Sequence, residues 1–235
     1  FPVADGMINP KTMKWIQQCL KRSYKENAQV IAVMHHSLLN HNDLEGQNCT
    51  VGNRDALLKT LKKYKVDLVL SGHIHVQHIA LCEKGRQPIY DIASSSLAVY
   101  PQRYGILRYS PGSGYHYKTK TTDLQGWVRN NGIQDTTLNN FEEYSKTFFE
   151  DAAFRRAQNI LSGLPGYTEE SKLLMAKTLA ELDLQYFQGT LEISEFKNTD
   201  GYCLLEEALP LILKRYTSAG PQNTNNLELF IPPRP

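Results

Sequence analysis

His73 and His75 stand one residue apart in Ser71-Gly72-His73-Ile74-His75, directly after the apolar run Val66-Asp67-Leu68-Val69-Leu70. The run reads as a buried strand and Gly72 as the turn that ends it. While a strand persists, residues i and i+2 share a face. Two imidazoles at its tip can therefore reach two metal ions about 3.5–4 Å apart, the spacing of two-metal phosphoester hydrolysis. A second source of imidazole lies upstream. Val30-Ile31-Ala32-Val33-Met34 reads as another buried strand and runs into His35-His36-Ser37. Two strands ending in imidazole form a metal-site constellation, against the plainer alternative of polar turns that contain histidine.

The elements that must carry these side chains follow from periodicity. Met13, Ile16, Cys19 and Leu20 recur at helical spacing after Asn9-Pro10, which predicts a helix over 10–26 with Asn9 as its cap. Strand 30–34 follows, then a polar loop over 37–52 with His41, Asn42, Asp43 and Gly46. Asn53 starts a second helix carrying Leu57, Leu58 and Leu61, and strand 67–71 leads into the paired histidines. Shorter strands are expected at 77–82, 88–93, 105–110 and 114–120, with turns at Lys84-Gly85 and Pro111-Gly112-Ser113-Gly114.

Val33-Met34-His35-His36-Ser37 and Ser71-Gly72-His73-Ile74-His75 resemble the last two metal-ligand motifs of the calcineurin-like metallophosphoesterases. The similarity runs from Trp15 to about Tyr117 and includes Asn42-Asp43, Asp67-Leu68-Val69-Leu70 and Ser94-Ser95-Ser96-Leu97-Ala98-Val99-Tyr100-Pro101. Within that family the chain looks like the Gram-positive cyclic-nucleotide phosphodiesterase-like group, in which a helical domain follows the catalytic one. The resemblance implies an α/β fold, part of a four-layer α/β sandwich, followed by a small all-α domain. It implies two divalent ions, such as Mn, Fe or Zn, that activate water against a phosphoester, including a cyclic nucleotide. Carried over, His73 and His35 share one ion and His75 belongs to the other.

The family's pattern opens with Asp-x-His, Gly-Asp-x-x-Asp and Gly-Asn-His-Asp or -Glu, and none of these occurs in this chain. The expectation is that these residues are the C-terminal portion of a catalytic domain whose N-terminal half supplies the other ligands. On that expectation the intact protein is a metallophosphoesterase. The chain alone is incomplete, binds at most one ion weakly and is inactive. The alternative is a non-catalytic metal-binding or protein-interaction module. Splitting a sheet exposes edges and apolar surface, so a homodimer over the open face is also considered.

Other residues are weighed beside the three ligands. His36 is expected near the site without ligating. His41 either reaches the pocket mouth or is a solvated loop histidine. Asn42 either lines the pocket or makes an Asx-turn, and the turn is preferred. His78 is expected to be a hydrogen-bonded structural residue, and His116 has no functional support. Ser95 and Tyr100, after a buried strand, are expected to border the pocket, although no Gly-x-Ser-x-Gly elbow marks a nucleophile.

Net charge is +2 over 235 residues, unevenly divided. Residues 1–122 carry 16 Lys and Arg against 8 Asp and Glu; residues 123–235 carry 10 against 16. No Arg/Lys stripe interleaved with aromatics is present, so duplex nucleic acid is not an expected partner. No apolar run approaches the roughly 18–20 residues of a membrane span. Four cysteines form no Cys-x-x-Cys pair, and Cys19 and Cys82 read as small buried hydrophobes. Compartment stays open.

The polar stretch 121–136 marks the boundary between a domain over 1–122 and a helical one over 123–235. Leu138, Phe141, Tyr144, Phe148 and Phe149 open a long helix to about Ile160, its aromatic stripe read as core. Gly163, Pro165 and Gly166 break it. Thr168-Glu169-Glu170 opens the next, which ends at Gly189. A third helix is predicted over 203–216 with a kink or break at Pro210, and an irregular tail from Ala219.

Overall fold

The computed structural model describes residues 6–42, 49–84 and 88–217. Asp43 and Gly46 of the polar loop, Gly85 of the turn and the tail from Ala219 lie outside the described residues. The described chain divides into two units, residues 6–94 with 105–118, and residues 95–104 with 119–217.

In the first unit α1 (Pro10–Lys25) is capped as its sequence predicts: the Asn9 side chain accepts from Thr12 N at 2.8 Å. β1 (Ile31–Val33) is shorter than the apolar run that marks it. α2 (Arg54–Lys63) starts after Asn53, whose side chain makes no cap bond. Instead Asn53 bonds both backbone groups of Ile8, accepting at 3.1 Å and donating at 2.7 Å, and so ties the entering chain to the helix.

β2 (Leu68–Ser71), β3 (His78–Cys82) and β4 (Ile89–Ala93) complete a four-stranded sheet of order β1-β2-β4-β3. β1 and β4 run parallel to β2, and β3 runs antiparallel to β4. β5 (Arg103–Ser110) and β6 (Gly114–Thr121) form a separate two-stranded sheet.

Alternation along β2 explains the layers. Val69 faces the helices and packs with Leu20, Leu38, Leu57, Leu61 and Ile89. Leu68 and Leu70 face the other way, toward Ile92, Tyr115 and Tyr117. A strand covered on both sides is apolar throughout, which is why the sequence around it reads as a continuous run.

The second unit is helical: α3 (Leu124–Asn130), α4 (Thr136–Asn139), α5 (Phe141–Ser162), α6 (Glu169–Gln188), α7 (Ile193–Phe196), α8 (Asp200–Ala208) and α9 (Pro210–Thr217). The polar stretch 121–136 therefore holds a helix. Asp123 caps α3 through Gly126 N at 2.7 Å, and Asp135 caps α4 through Leu138 N at 2.9 Å. The single helix predicted from Leu138 is two. α6 begins at the Thr168 cap, which accepts from Ser171 N, and ends at Gly189 in the left-handed region, φ 65°. The helix predicted over 203–216 starts earlier, after the Thr199 cap. It breaks at Leu209, and Pro210 opens α9, where its missing N–H costs nothing.

α5 buries Phe149, Ala153, Ala157 and Leu161, one face at a spacing of four. Phe149 and Ala153 meet Ala180 and Leu184 of α6. Tyr144 and Phe148 are 50% and 61% exposed, so that part of the aromatic stripe is not core. No disulfide joins the four cysteines, and Cys19 and Cys82 are half-buried rather than fully buried. Among the described residues no helix is long and apolar enough to cross a membrane.

Candidate metal centre

β1 and β2 lie side by side and parallel, with Val33 opposite Leu70, so their C-terminal ends emerge together. The ladder continues past both strands: Met34 N donates to Leu70 O, and Gly72 N donates to His35 O, each at 3.0 Å. That last bond sets His35 beside the turn that carries His73. His73 Nδ1 lies 3.2 Å from His35 Nε2, with the two rings near perpendicular at 86°. The His36 ring is 4.3 Å from the His73 ring, centroid to centroid, and 5.3 Å from that of His35. Three imidazoles thus cluster at the open end of two parallel strands. Gly6 lies against His36, where any Cβ would meet Nδ1 at 2.6 Å.

His73 and His75 do not present themselves as alternate residues of a strand. β2 ends at Ser71, and both histidines adopt left-handed backbone, φ 66° and 58°. Ile74 N closes on Gly72 O at 2.7 Å, making a three-residue turn about His73. Such conformations are costly for residues with a Cβ and collect at functional sites. His75 is exposed at the far side of this turn. The return of the loop is held at Gln77, which accepts from the Tyr117 hydroxyl at 3.0 Å. Burial pushes the Tyr117 phenol up.

Behind the turn is a buried polar group. His41 is 3% exposed and is neither a pocket-mouth nor a solvated residue: its Nδ1 lies 2.9 Å from Nδ1 of His78. Its Nε2 is 3.7 Å from Asp91 Oδ2 and has no hydrogen-bond partner among the described residues. One of the two Nδ1 atoms carries the proton that they share.

Asp91 is fully buried in the middle of β4. Its Oδ2 accepts from Leu38 N at 2.6 Å and Leu39 N at 2.9 Å, and its Oδ1 accepts from Ser71 Oγ at 2.7 Å. Sequence reasoning took His78 as a hydrogen-bonded structural residue, as it is, but did not pair it with His41 and did not single out Asp91. The available signal was one aspartate inside the apolar strand Ile89-Tyr90-Asp91-Ile92-Ala93, because a charge is rarely buried without partners.

Asn42 is buried, and Asp43 beside it lies outside the described residues. Ser95 and Tyr100 belong to the second unit. Tyr100 is buried against Phe149 and Ala153 and its hydroxyl accepts from Gln188 Nε2 at 3.1 Å, whereas Ser95 Oγ is buried without a partner among the described residues.

A groove of about 410 Å³ runs from Trp15 and Met7 along β1 to His35 and His36. Val33 and Trp15 on its rim are 76% and 61% exposed. Among the described residues β1 pairs with β2 alone.

Calcineurin-like phosphoesterases generally use divalent metals. The donor set fits that chemistry in part: imidazole suits Zn and Fe, whereas Mn favours oxygen donors, and two ring nitrogens lie 3.2 Å apart. Among the described residues no group of three or more His, Cys, Asp or Glu side chains converges to hold an ion.

No curated protein matches the chain. Residues 3–77 match the family model for calcineurin-like phosphoesterase, and residues 123–225 match that for the C-terminal domain of cyclic nucleotide phosphodiesterase. Residues 3–77 are thus similar to calcineurin-like phosphoesterases and residues 123–225 to the C-terminal domain of cyclic nucleotide phosphodiesterases, each match covering less than half of the chain.

Proposed function

We propose that the protein is a metal-dependent phosphodiesterase in which His35 and His73 hold one divalent ion and His75 contributes to a second. One observation carries this reading: the 3.2 Å separation of His35 Nε2 and His73 Nδ1. Two imidazoles on one ion with bonds of about 2.0–2.1 Å and angles between square and tetrahedral leave their nitrogens about 2.9–3.4 Å apart. Ions of the Mn, Fe or Zn class would supply Lewis-acid charge and make hydroxide available as a nucleophile near neutral pH.

The chain's own residues have simpler tasks. His35 Nε2 and His73 Nδ1 are the atoms that would meet an ion, and without one they stand at hydrogen-bond distance from each other. The left-handed backbone at His73 aims its ring back at His35 rather than along β2. His36, packed on the His73 ring, restricts its rotation and faces the open end where a phosphoester would lie.

Two imidazoles do not complete an ion's shell, so further donors must join them. The β1 edge that has no partner among the described residues, and the adjoining apolar groove, are where a further strand bearing such donors would pair. Alone, the described residues would hold one ion weakly and turn over no substrate. A cyclic nucleotide is the substrate class we favour, because the C-terminal model that matches is that of cyclic nucleotide phosphodiesterases.

The test is Mn²⁺-dependent hydrolysis of bis-p-nitrophenyl phosphate and of a cyclic nucleotide by the intact protein. His73→Ala and His75→Ala should each abolish turnover. Near-wild-type rates in either folded variant after chelation and reconstitution would remove that residue from the site.

A further inference from the structure

We propose that Asp91 is a positioning residue for the candidate metal centre, its buried carboxylate setting the separation of His35 and His73 without touching either. The inference rests on the reading of that pair as ligands of one ion.

The connectivity is short on both sides. Oδ2 holds Leu38 N and Leu39 N, three and four residues after His35. Oδ1 holds Ser71 Oγ, two residues before His73. Ser71 Oγ also lies 3.3 Å from Ser37 Oγ, so the two histidine-bearing segments are joined through one side chain and directly to each other. β4 supplies the fixed point. Its register puts Asp91 opposite Val69 of β2 and Ala80 of β3, in the interior of the sheet. A carboxylate there has no freedom to move, and its partners inherit that.

The donor pattern explains the residue type. Three hydrogen bonds end on Asp91, from two backbone N–H groups at Oδ2 and a hydroxyl at Oδ1, and His41 Nε2 lies beyond hydrogen-bond reach at 3.7 Å from Oδ2. Only a carboxylate accepts all three without rearrangement. An asparagine of the same shape can keep the clamp. Its oxygen would take the two N–H groups while its amide donates to Ser71 Oγ, whose hydroxyl then turns toward Ser37. An alanine leaves three buried donors orphaned and frees both segments. Groups that orient ligating histidines commonly change metal affinity 10–100-fold when lost.

The experiment uses the full chain with Co²⁺ as probe, read by its visible absorption and by calorimetry, with thermal unfolding measured alongside. Asp91→Asn should bind Co²⁺ within about threefold of wild type, and Ser71→Ala should bind about tenfold more weakly with its unfolding transition retained. Asp91→Ala should lose more than Ser71→Ala. If Asp91→Ala fails to fold, the other two variants decide. Wild-type affinity in folded Ser71→Ala would overturn the proposal, and so would equal losses in folded Asp91→Asn and Asp91→Ala, which would make charge rather than position the agent.

A metal-free readout separates this inference from the one beneath it. In protein labelled with ¹³C-histidine, the ring-to-ring nuclear Overhauser effect between His35 and His73 should persist in Asp91→Asn and weaken in Ser71→Ala. If wild type binds no Co²⁺, the ligand reading fails, and this signal alone upholds or overturns the clamp.

Discussion

Replacing His73 by glycine should make the metal-free protein more stable than replacing it by alanine. His73 sits at φ 66°, where a residue with a Cβ pays about 1–2 kcal/mol. Alanine removes the imidazole but keeps the Cβ and therefore that cost. Glycine removes both, and gives back about 0.4–1 kcal/mol through the greater freedom of its unfolded chain. The difference between the two variants isolates the backbone, because the lost ring contacts cancel. It should favour His73→Gly by about 0.5–1 kcal/mol. His75 at φ 58° offers the same comparison, so the double glycine variant should exceed the double alanine variant by about 1–2 kcal/mol. Urea unfolding in the presence of chelator measures this directly. Thermal midpoints should differ by about 2–4 °C per kcal/mol. Equal stabilities, or alanine above glycine, would mean that the histidine turn is not left-handed in solution, and the aiming of His73 toward His35 would lose its basis.

Two further outcomes concern the helical unit. The Tyr216 hydroxyl donates to Asp183 Oδ1 at 2.8 Å in a buried setting, and burial first, then the Asp183 charge, holds its phenol well above the usual value of 10. The unfolded chain ionises there first, so this contribution is full below pH 10 and is lost as pH rises above it. Tyr216→Phe should cost about 1.5–3 kcal/mol at neutral pH and flatten that alkaline decline in pH-dependent unfolding. Gly201 of α8 allows close approach to α6: a Cβ there would stand 2.8 Å from Leu174 O and against Thr178 Oγ1. Gly201→Ala should destabilise by about 1–3 kcal/mol in chemical denaturation.

Much of the fold is written locally. The apolar run at 67–71 yields β2, and Asn9, Thr168 and Gly189 bound their helices by their own side-chain and backbone chemistry. The mixed α/β unit followed by helices is legible for the same reason. Sheet order is not, because parallel pairing of β2 with both β1 and β4 joins residues distant in sequence. Asp123 and Asp135 were visible as cap-forming types, yet sat in a stretch whose polarity masked two short helices.

At the site, residue types point to the histidine-bearing strand ends, while their geometry escapes sequence reasoning. Period-two logic assumes that a strand continues, and the chain leaves β2 at Ser71 before either histidine. His41 is loop-borne and polar, the profile of a solvated residue. Only its distant partners His78 and Asp91 make burial tolerable. The exposed rings of Tyr144 and Phe148 reverse the usual expectation for an aromatic stripe. α5 turns its smaller alanines inward to approach α6.

The most direct test of the shared ion is a double-mutant cycle on Zn²⁺ binding by calorimetry, with His35→Ala, His73→Ala and the pair. If one ion uses both rings, either single variant loses most of the affinity and the double loses little more. Additive losses from the two sites, or wild-type affinity in folded His73→Ala, would contradict it.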